Sequence, residues 1–153
     1  MLSQSEEFLD TLQRAAFTYF LENVNPSNGL IADTTRSHSP SSIAVTGLGL
    51  TSYTVGVERG WLTRTDGAAR ALVTLKFLWN ASAGEQDGMS GYKGFYYHFL
   101  DMQTGIRVWG CELSMIDTAL LMAGVLAVGA YFSGTNAEEK NIREFSEKLI
   151  NYG

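Results

Sequence analysis

The sequence predicts a mainly α fold: about five helices arranged as helical hairpins of an incomplete α-toroid, with one inserted β-hairpin. Three observations lead there. Four segments open with a hydroxyl residue followed three positions later by an acid, at Ser3/Glu6, Thr63/Asp66, Ser114/Asp117 and Thr135/Glu138. Each pair can satisfy two of the orphan amides of a helix's first turn, with the carboxylate facing the positive end of the dipole. The five expected helices, one of which carries no such pair, alternate between amphipathic and apolar all round. Between the third and fourth, the run Phe95 to Leu100 has the aromatic density of a strand and precedes a turn.

Helix one is expected over about Gln4 to Val24, with Phe8, Leu9, Leu12, Ala15, Ala16, Tyr19 and Phe20 on one stripe. Asn25-Pro26-Ser27-Asn28-Gly29 ends it, and an irregular loop carrying Asp33, Arg36 and His38 runs on to Ser42. Helix two, about Ser42 to Glu58, is apolar on every side and contains Gly47, Gly49 and Gly56, a surface made for burial and close backbone approach. Gly60 is its αL cap. Helix three, about Arg64 to Asn80, sets Leu72, Leu75, Phe77, Leu78 and Trp79 against Arg64, Asp66, Arg70 and Lys76.

A glycine-rich loop, Gly84 to Gly94, leads into the expected strand Phe95 to Leu100, a turn over Asp101 to Gly105 and a return strand Ile106 to Trp109. Strand alternation would place Tyr96 and His98 on one face and Phe95, Tyr97, Phe99 and Asp101 on the other. Helix four, about Met115 to Phe132, is the second wholly apolar helix. Helix five, about Asn136 to Asn151, is a surface helix with Glu139/Arg143 and Glu144/Lys148 at i, i+4 spacing.

Alternating amphipathic and apolar helices suit concentric hairpins, the apolar ones forming an inner ring that the others cover. Two inner and three outer helices cannot close a ring, so residues 1–153 read as the N-terminal part of one larger toroid domain. The flanks of helices two and four would then be exposed and open to self-association.

Other classes recede on composition. Apolar residues make up 45% and charged residues 18%, a globular balance, and the net charge of -5 offers no footprint for nucleic acid or an anionic membrane. The longest apolar run, Ala119 to Phe132, is too short to span a bilayer, for which about 20 residues are needed. The start of the chain lacks an export signal. Cys111 is the single cysteine and is expected to be a lone buried thiol. His38 and His98 lie far apart and in no ligand motif, so no metal site and no cofactor are expected, and Gly-Leu-Gly-Leu inside helix two is packing rather than a phosphate loop.

Four blocks carry a resemblance: Ser42-Ile-Ala-Val-Thr-Gly-Leu-Gly-Leu-Thr51, Gly56-Val-Glu-Arg-Gly-Trp61, Gly94-Phe-Tyr-Tyr-His-Phe-Leu-Asp101 and Glu112-Leu-Ser-Met-Ile-Asp-Thr-Ala-Leu-Leu121. Together they resemble the glycoamylase-like family, an (α/α)6-toroid group of bacterial glycoside hydrolases that includes endo-β-1,2-glucanases, with a similar domain in cyclic β-1,2-glucan synthases. The resemblance spans about Phe8 to Phe132 and implies a periplasmic or secreted setting and a glucan substrate. It implies an incomplete (α/α)6 toroid and an endo-acting glycoside hydrolase using carboxylate acid/base catalysis. The alternative is a non-catalytic helical domain that binds glycan or structures a larger synthase.

Glycoside hydrolysis generally uses one protonated and one ionised carboxyl group, and both must sit where sugar can reach. Glu112 fits best, just before helix four, where Trp109 and Cys111 could raise its pKa by desolvation toward that of a general acid; a solvated loop glutamate is the alternative. Asp117 is the second catalytic candidate, although the Ser114 box already explains it as a capping carboxylate. Tyr96, His98 and Trp109 offer platforms and polar tips for pyranose rings, which hairpin packing would also require. Asp101 is a turn aspartate by position and a rim carboxylate by resemblance. Arg107 and Arg36 are candidates to bind sugar hydroxyls or fix a carboxylate, against an ordinary surface role; Asp33-Thr-Thr-Arg36 departs from the compact Asp-Arg pair of the family. Glu58 and Arg59 read as ties between helices near Trp61.

Overall fold

Hydroxyl side chains set the first turns. In the computed structural model, which describes residues 3–151, α1 (Gln4–Glu22) is closed by the reciprocal box in which the Glu6 amide donates to Ser3 Oγ at 3.3 Å and the Ser3 amide to Glu6 Oε2 at 2.7 Å. Met1, Leu2, Tyr152 and Gly153 lie outside the described residues. α3 (Arg64–Asn80) and α4 (Met115–Tyr131) start at Thr63 and Ser114, whose oxygens accept from the Asp66 and Asp117 amides at 3.0 and 3.2 Å. Here the hydroxyl donates onward to the acid instead, at 2.6 Å in both, so the carboxylate holds the cap rather than the backbone. α2 (Ile43–Glu58) completes the inner pair, and α5 (Ala137–Asn151) the outer set.

The fourth start is displaced by one residue from Thr135/Glu138. Asn136 is the cap, accepting from the Glu139 amide at 2.9 Å and donating to Glu139 Oε1 at 3.2 Å. Tertiary contact decides this: Glu139 is only 4% exposed and takes Arg64 Nε and Nη2 at 2.9 and 2.7 Å and the Gly134 amide at 2.6 Å. Its expected helical partner Arg143 donates to the Phe132 carbonyl instead, whereas Glu144 and Lys148 do pair, at 2.6 Å. The Arg64 guanidinium, chiefly, lowers the Glu139 pKa to about 2.

α2 and α4 run side by side with their N-termini at one end. Their contact is backbone to backbone: a Cβ on Gly124 would overlap the Gly47 carbonyl, and one on Gly47 would meet the backbone of Leu120 and Leu121. Leu50, Leu121, Val125, Val128 and Phe132 fill this seam, and Leu75, Leu78 and Ile142 close it from α3 and α5. α1 joins through Phe17, which packs against Gly56 and lies 5.5 Å from the Trp61 ring. Glu58 and Arg59 tie helices as expected: the Tyr131 hydroxyl donates to Glu58 at 2.7 Å, and Arg59 pairs with Asp10 over the Trp61 ring. The expected burial of α2 and α4 on all sides holds on one side only. Leu48, Met115, Ile116, Leu120 and Leu126 are exposed, because the described helices cover the pair from one flank.

The expected strand Phe95 to Leu100 divides at His98. β3 (Phe95–Tyr97) pairs with β2 (Gly91–Tyr92) across a two-residue turn whose Lys93 and Gly94 have φ of 48° and 78°, and also with β5 (Leu113–Ser114). Two left-handed residues match the twist of an antiparallel ribbon, so the hairpin forms here, ahead of the expected position. β4 (Phe99–Leu100) pairs with β1 (Ser41–Ser42), in register Ser41 to Leu100. The return segment Ile106 to Trp109 contributes only the bridge Leu100 to Arg107, and left-handed Trp109 and Gly110 then turn the chain away. No helix among the described residues is long and apolar enough to cross a membrane.

Replacing Gly47 or Gly124 by alanine should destabilise the fold by about 3 kcal/mol, the scale of overpacking against rigid backbone, read as a shifted urea or thermal midpoint. Glu139 is ionised more readily in the folded than in the unfolded chain, so its contribution is full above the unfolded value near 4.5 and is lost as pH falls toward about 2. Melting temperatures recorded from pH 6 down to pH 2 should therefore decline more steeply for the natural chain than for Glu139→Gln, which should cost about 2 kcal/mol at neutral pH, the worth of hydrogen bonds to a charged group.

Candidate active site

Backbone bonds place His98 between the two small sheets. Its carbonyl accepts from the Ile43 amide at 3.2 Å and its amide donates to the Glu112 carbonyl at 3.0 Å, which pins it to the start of α2 and to the segment entering α4. From there the imidazole reaches two carboxylates. Nδ1 lies 2.7 Å from Glu112 Oε1, and Nε2 lies 3.5 Å from Asp117 Oδ2, which also receives the Ser114 hydroxyl. Phe99 stacks on the His98 ring at 3.8 Å between centroids, and Trp109 leans on Phe99 at 5.6 Å.

Exposure grades across this cluster. The Asp117 side chain is 15% exposed, that of His98 28% and that of Glu112 65%, so the chain of contacts leads from a sheltered carboxylate through a ring to an open one. Glu112 is held below the usual glutamate range by its own backbone amide, then by the His98 hydrogen bond and the nearby charge of Arg107. The raised pKa expected from its neighbours in sequence does not occur, since the side chain turns to solvent and His98 rather than into a dry pocket. An ionised, oriented carboxylate at the positive ends of two helices can accept a proton from water or bind a sugar hydroxyl.

The residues singled out in the sequence divide around this cluster. His98, Glu112 and Asp117 come together, a trio from two distant blocks whose ligand atoms lie within 4.8 Å of one another. The two ring nitrogens face different carboxylates, Glu112 at hydrogen-bond distance and Asp117 at ion-pair distance. Trp109 is 76% exposed and adopts φ of 56°, an uncommon conformation for a bulky residue, which carries its indole out beside Phe99. Arg107 grips the Cys111 and Gly110 carbonyls at 2.6 and 2.7 Å with its guanidinium 4.2 Å over the Tyr97 ring, fixing the segment that carries Trp109 and Glu112.

Tyr96 goes elsewhere: its hydroxyl donates to the Leu78 carbonyl, and it lines a cavity with Leu78, Trp79 and Phe95. The alternation that would have placed it with His98 ends with β3. Asp101 Oδ1 is committed to its own turn, accepting from the Gln103 and Thr104 amides and the Thr104 hydroxyl, which lower its pKa. Arg36 is exposed in the loop before β1, which pairs with β4 next to His98. Sequence reasoning missed Phe99 as the platform under His98, since strand alternation assigns adjacent residues to opposite faces.

The fold is similar to that of glucoamylase-like α-helical toroid proteins, of which the chain resembles one segment. Among particular relatives, it is 29% identical over 150 residues to the exo β-1,2-glucooligosaccharide sophorohydrolase (non-reducing end) of Parabacteroides distasonis, a match covering 94% of this chain and 20% of that protein. The crystal structure of a β-1,2-glucanase from Parabacteroides distasonis superposes with a TM-score of 0.84 at 28% identity, over 97% of this chain and 21% of the other. A glucoamylase-like protein of Bacteroides uniformis superposes with a TM-score of 0.86 at 26% identity, over 99% of this chain and 37% of the other. The chain thus spans between a fifth and two fifths of the proteins it matches. It matches no protein-family model.

Asp101→Ala should unravel the turn at a cost of about 1 kcal/mol, one or two hydrogen bonds' worth, seen as a lowered melting temperature with the His98 ring signals unchanged in NMR spectra.

Proposed function

We propose that this chain is one segment of a larger toroid domain that hydrolyses β-glucan, of β-1,2 linkage, with Glu112 as the working carboxylate. The observation that carries the reading is the Glu112–His98–Asp117 cluster at the shared N-terminal end of α2 and α4, with Glu112 hydrogen-bonded to His98 and the exposed Trp109 indole nearby. Names of the relatives supply the substrate class: the matched proteins of Parabacteroides distasonis act on β-1,2-linked glucose chains.

In this reading Glu112, held ionised, serves as base toward water or as a contact to a sugar hydroxyl. Asp117 and Ser114 position His98, and His98 positions Glu112. The Glu112 and Asp117 oxygens lie within 4.8 Å of each other, with the imidazole engaging both. Carboxyl groups that flank a scissile bond stand about 5–5.5 Å apart in retaining enzymes and about 6.5–9.5 Å apart in inverting ones. Asp117, sheltered and receiving the Ser114 hydroxyl at the start of α4, is read here as a positioning residue, with the proton for the leaving oxygen coming from a group outside this cluster. Trp109 gives the C–H face of a pyranose a platform, with Arg107 bracing it and Arg36 on the neighbouring loop. Glu112 and Trp109 stand open to solvent, a geometry that a long glucan can lie across, and internal cleavage is the mode proposed.

In a protein carrying this segment, Glu112→Gln should lower release of reducing ends from linear β-1,2-glucan by about 100-fold or more, the usual loss for a general base. Its melting temperature should stay within about 1 °C of the parent, as for other exposed substitutions. Turnover surviving the substitution would remove Glu112 from the chemistry. Glycan binding without new reducing ends in the parent itself would mark a non-catalytic binding domain. A ladder of oligosaccharides is expected; disaccharide alone would mean cleavage from an end.

A further inference from the structure

A second polar cavity, of about 480 Å³, lies away from the His98 cluster, between the middle of α2, the first half of α3 and the turn after α1. Its walls include Val24, Pro26, Leu62 and Val73, and its polar groups are Tyr53, Asp66 and Arg70. Tyr53 is 1% exposed, and its hydroxyl is buried without a well-formed hydrogen bond. Buried hydroxyls are nearly always satisfied, and one that is not calls for an explanation. Arg70 lies near enough to that hydroxyl to act on it both by charge and by a loosely aligned side-chain hydrogen bond. Among the described residues no carboxylate comes within ion-pair distance of its guanidinium, although Asp66 sits one turn away on the same helix. The Thr63 hydroxyl occupies Asp66 Oδ2.

We infer that this cavity is a binding site for one neutral pyranose unit, distinct from the His98 cluster and independent of the hydrolytic reading. A guanidinium offers only donors, a carboxylate only acceptors and a phenol one of each. Side by side, these groups match the vicinal hydroxyls of a sugar, while Val24, Pro26, Leu62 and Val73 match its C–H faces. Arg70 and Asp66 cancel in charge, so a neutral guest leaves no net charge in the cavity, whereas an anion would meet the Asp66 carboxylate. The volume lies in the range of small-molecule pockets, about 300–1,000 Å³. The guest's hydroxyls would meet Arg70 and Asp66 directly, with the Tyr53 hydroxyl behind Arg70.

The test is titration of the full 153-residue chain with methyl β-glucoside, followed by amide shifts in NMR spectra. Saturable shifts at Ala69, Arg70, Val73 and Gly29 are expected. Arg70→Met should weaken them about tenfold, the loss of one strong hydrogen bond. Glu112→Gln should leave these shifts unchanged, which separates this site from the His98 cluster. Three results would overturn the inference: no saturable shifts, shifts confined to the His98 end, or displacement of the glucoside by inorganic phosphate with the same dependence on Arg70, which would make the cavity an anion site.

Discussion

The close approach of α2 to α4 governs the rest of the molecule. Because Gly47 and Gly124 let one backbone rest on the other, the two apolar helices lie side by side with their N-termini at one end. That end is where the short sheets enter: the Ile43 amide donates to the His98 carbonyl, and Ser114 pairs with Tyr96. His98, Glu112 and Asp117 are brought together by this alignment and by no local sequence rule. A shift of one helix along the other would separate Asp117 from the imidazole while leaving every helix intact. The site is thus a consequence of how two helices pack, and its two positive helix ends come with it.

A second constraint works from the opposite end. Arg64 at the start of α3 and Glu139 in the first turn of α5 form a bidentate pair whose acidic member is buried. Arg64 also donates to the Tyr131 carbonyl at the end of α4, and Glu139 takes the Gly134 amide from the connecting turn. One ion pair therefore gathers the ends of three helices. Leaving either partner alone would strand a buried charge or orphaned donors, which is costlier than never having had the pair. It also explains the start of α5, since drawing Glu139 inward makes Asn136 the residue that can reach its amide.

Much of this was legible in the sequence, for physical reasons that can be named. Helices start where a hydroxyl can serve the first turn, a local matter, so Ser3, Thr63 and Ser114 were readable and α3 falls on its expected bounds. Thr135 misled because its spacing to Glu138 obeys the same local rule while a distant arginine, Arg64, decides the outcome. The aromatic run was readable as strand but not its partners: β1 lies more than fifty residues away from β4, and only the fold chooses it. Alternating amphipathic and apolar helices already pointed to a toroid, and the family resemblance, carried by four blocks, points to the same fold. Side-chain environment was the least legible feature. Trp109 and Cys111 flank Glu112 in the chain, yet the first projects into solvent and the second turns back to the Phe99 backbone, leaving Glu112 in water beside a histidine.

That difference bears on chemistry. A glutamate with a raised pKa gives a proton, and one held ionised accepts it; the surroundings select between the two. At Glu112 the His98 hydrogen bond and the charge of Arg107 favour the ionised form. Arg107 is itself fixed by two carbonyls and the Tyr97 ring, so this bias is built into the loop rather than borrowed from a mobile side chain. Left-handed backbone at Trp109, costly for so bulky a residue, is stabilised by the same brace. The brace thus accounts for two features together: an exposed indole where a sugar ring can lie, and beside it a carboxylate prepared to take a proton.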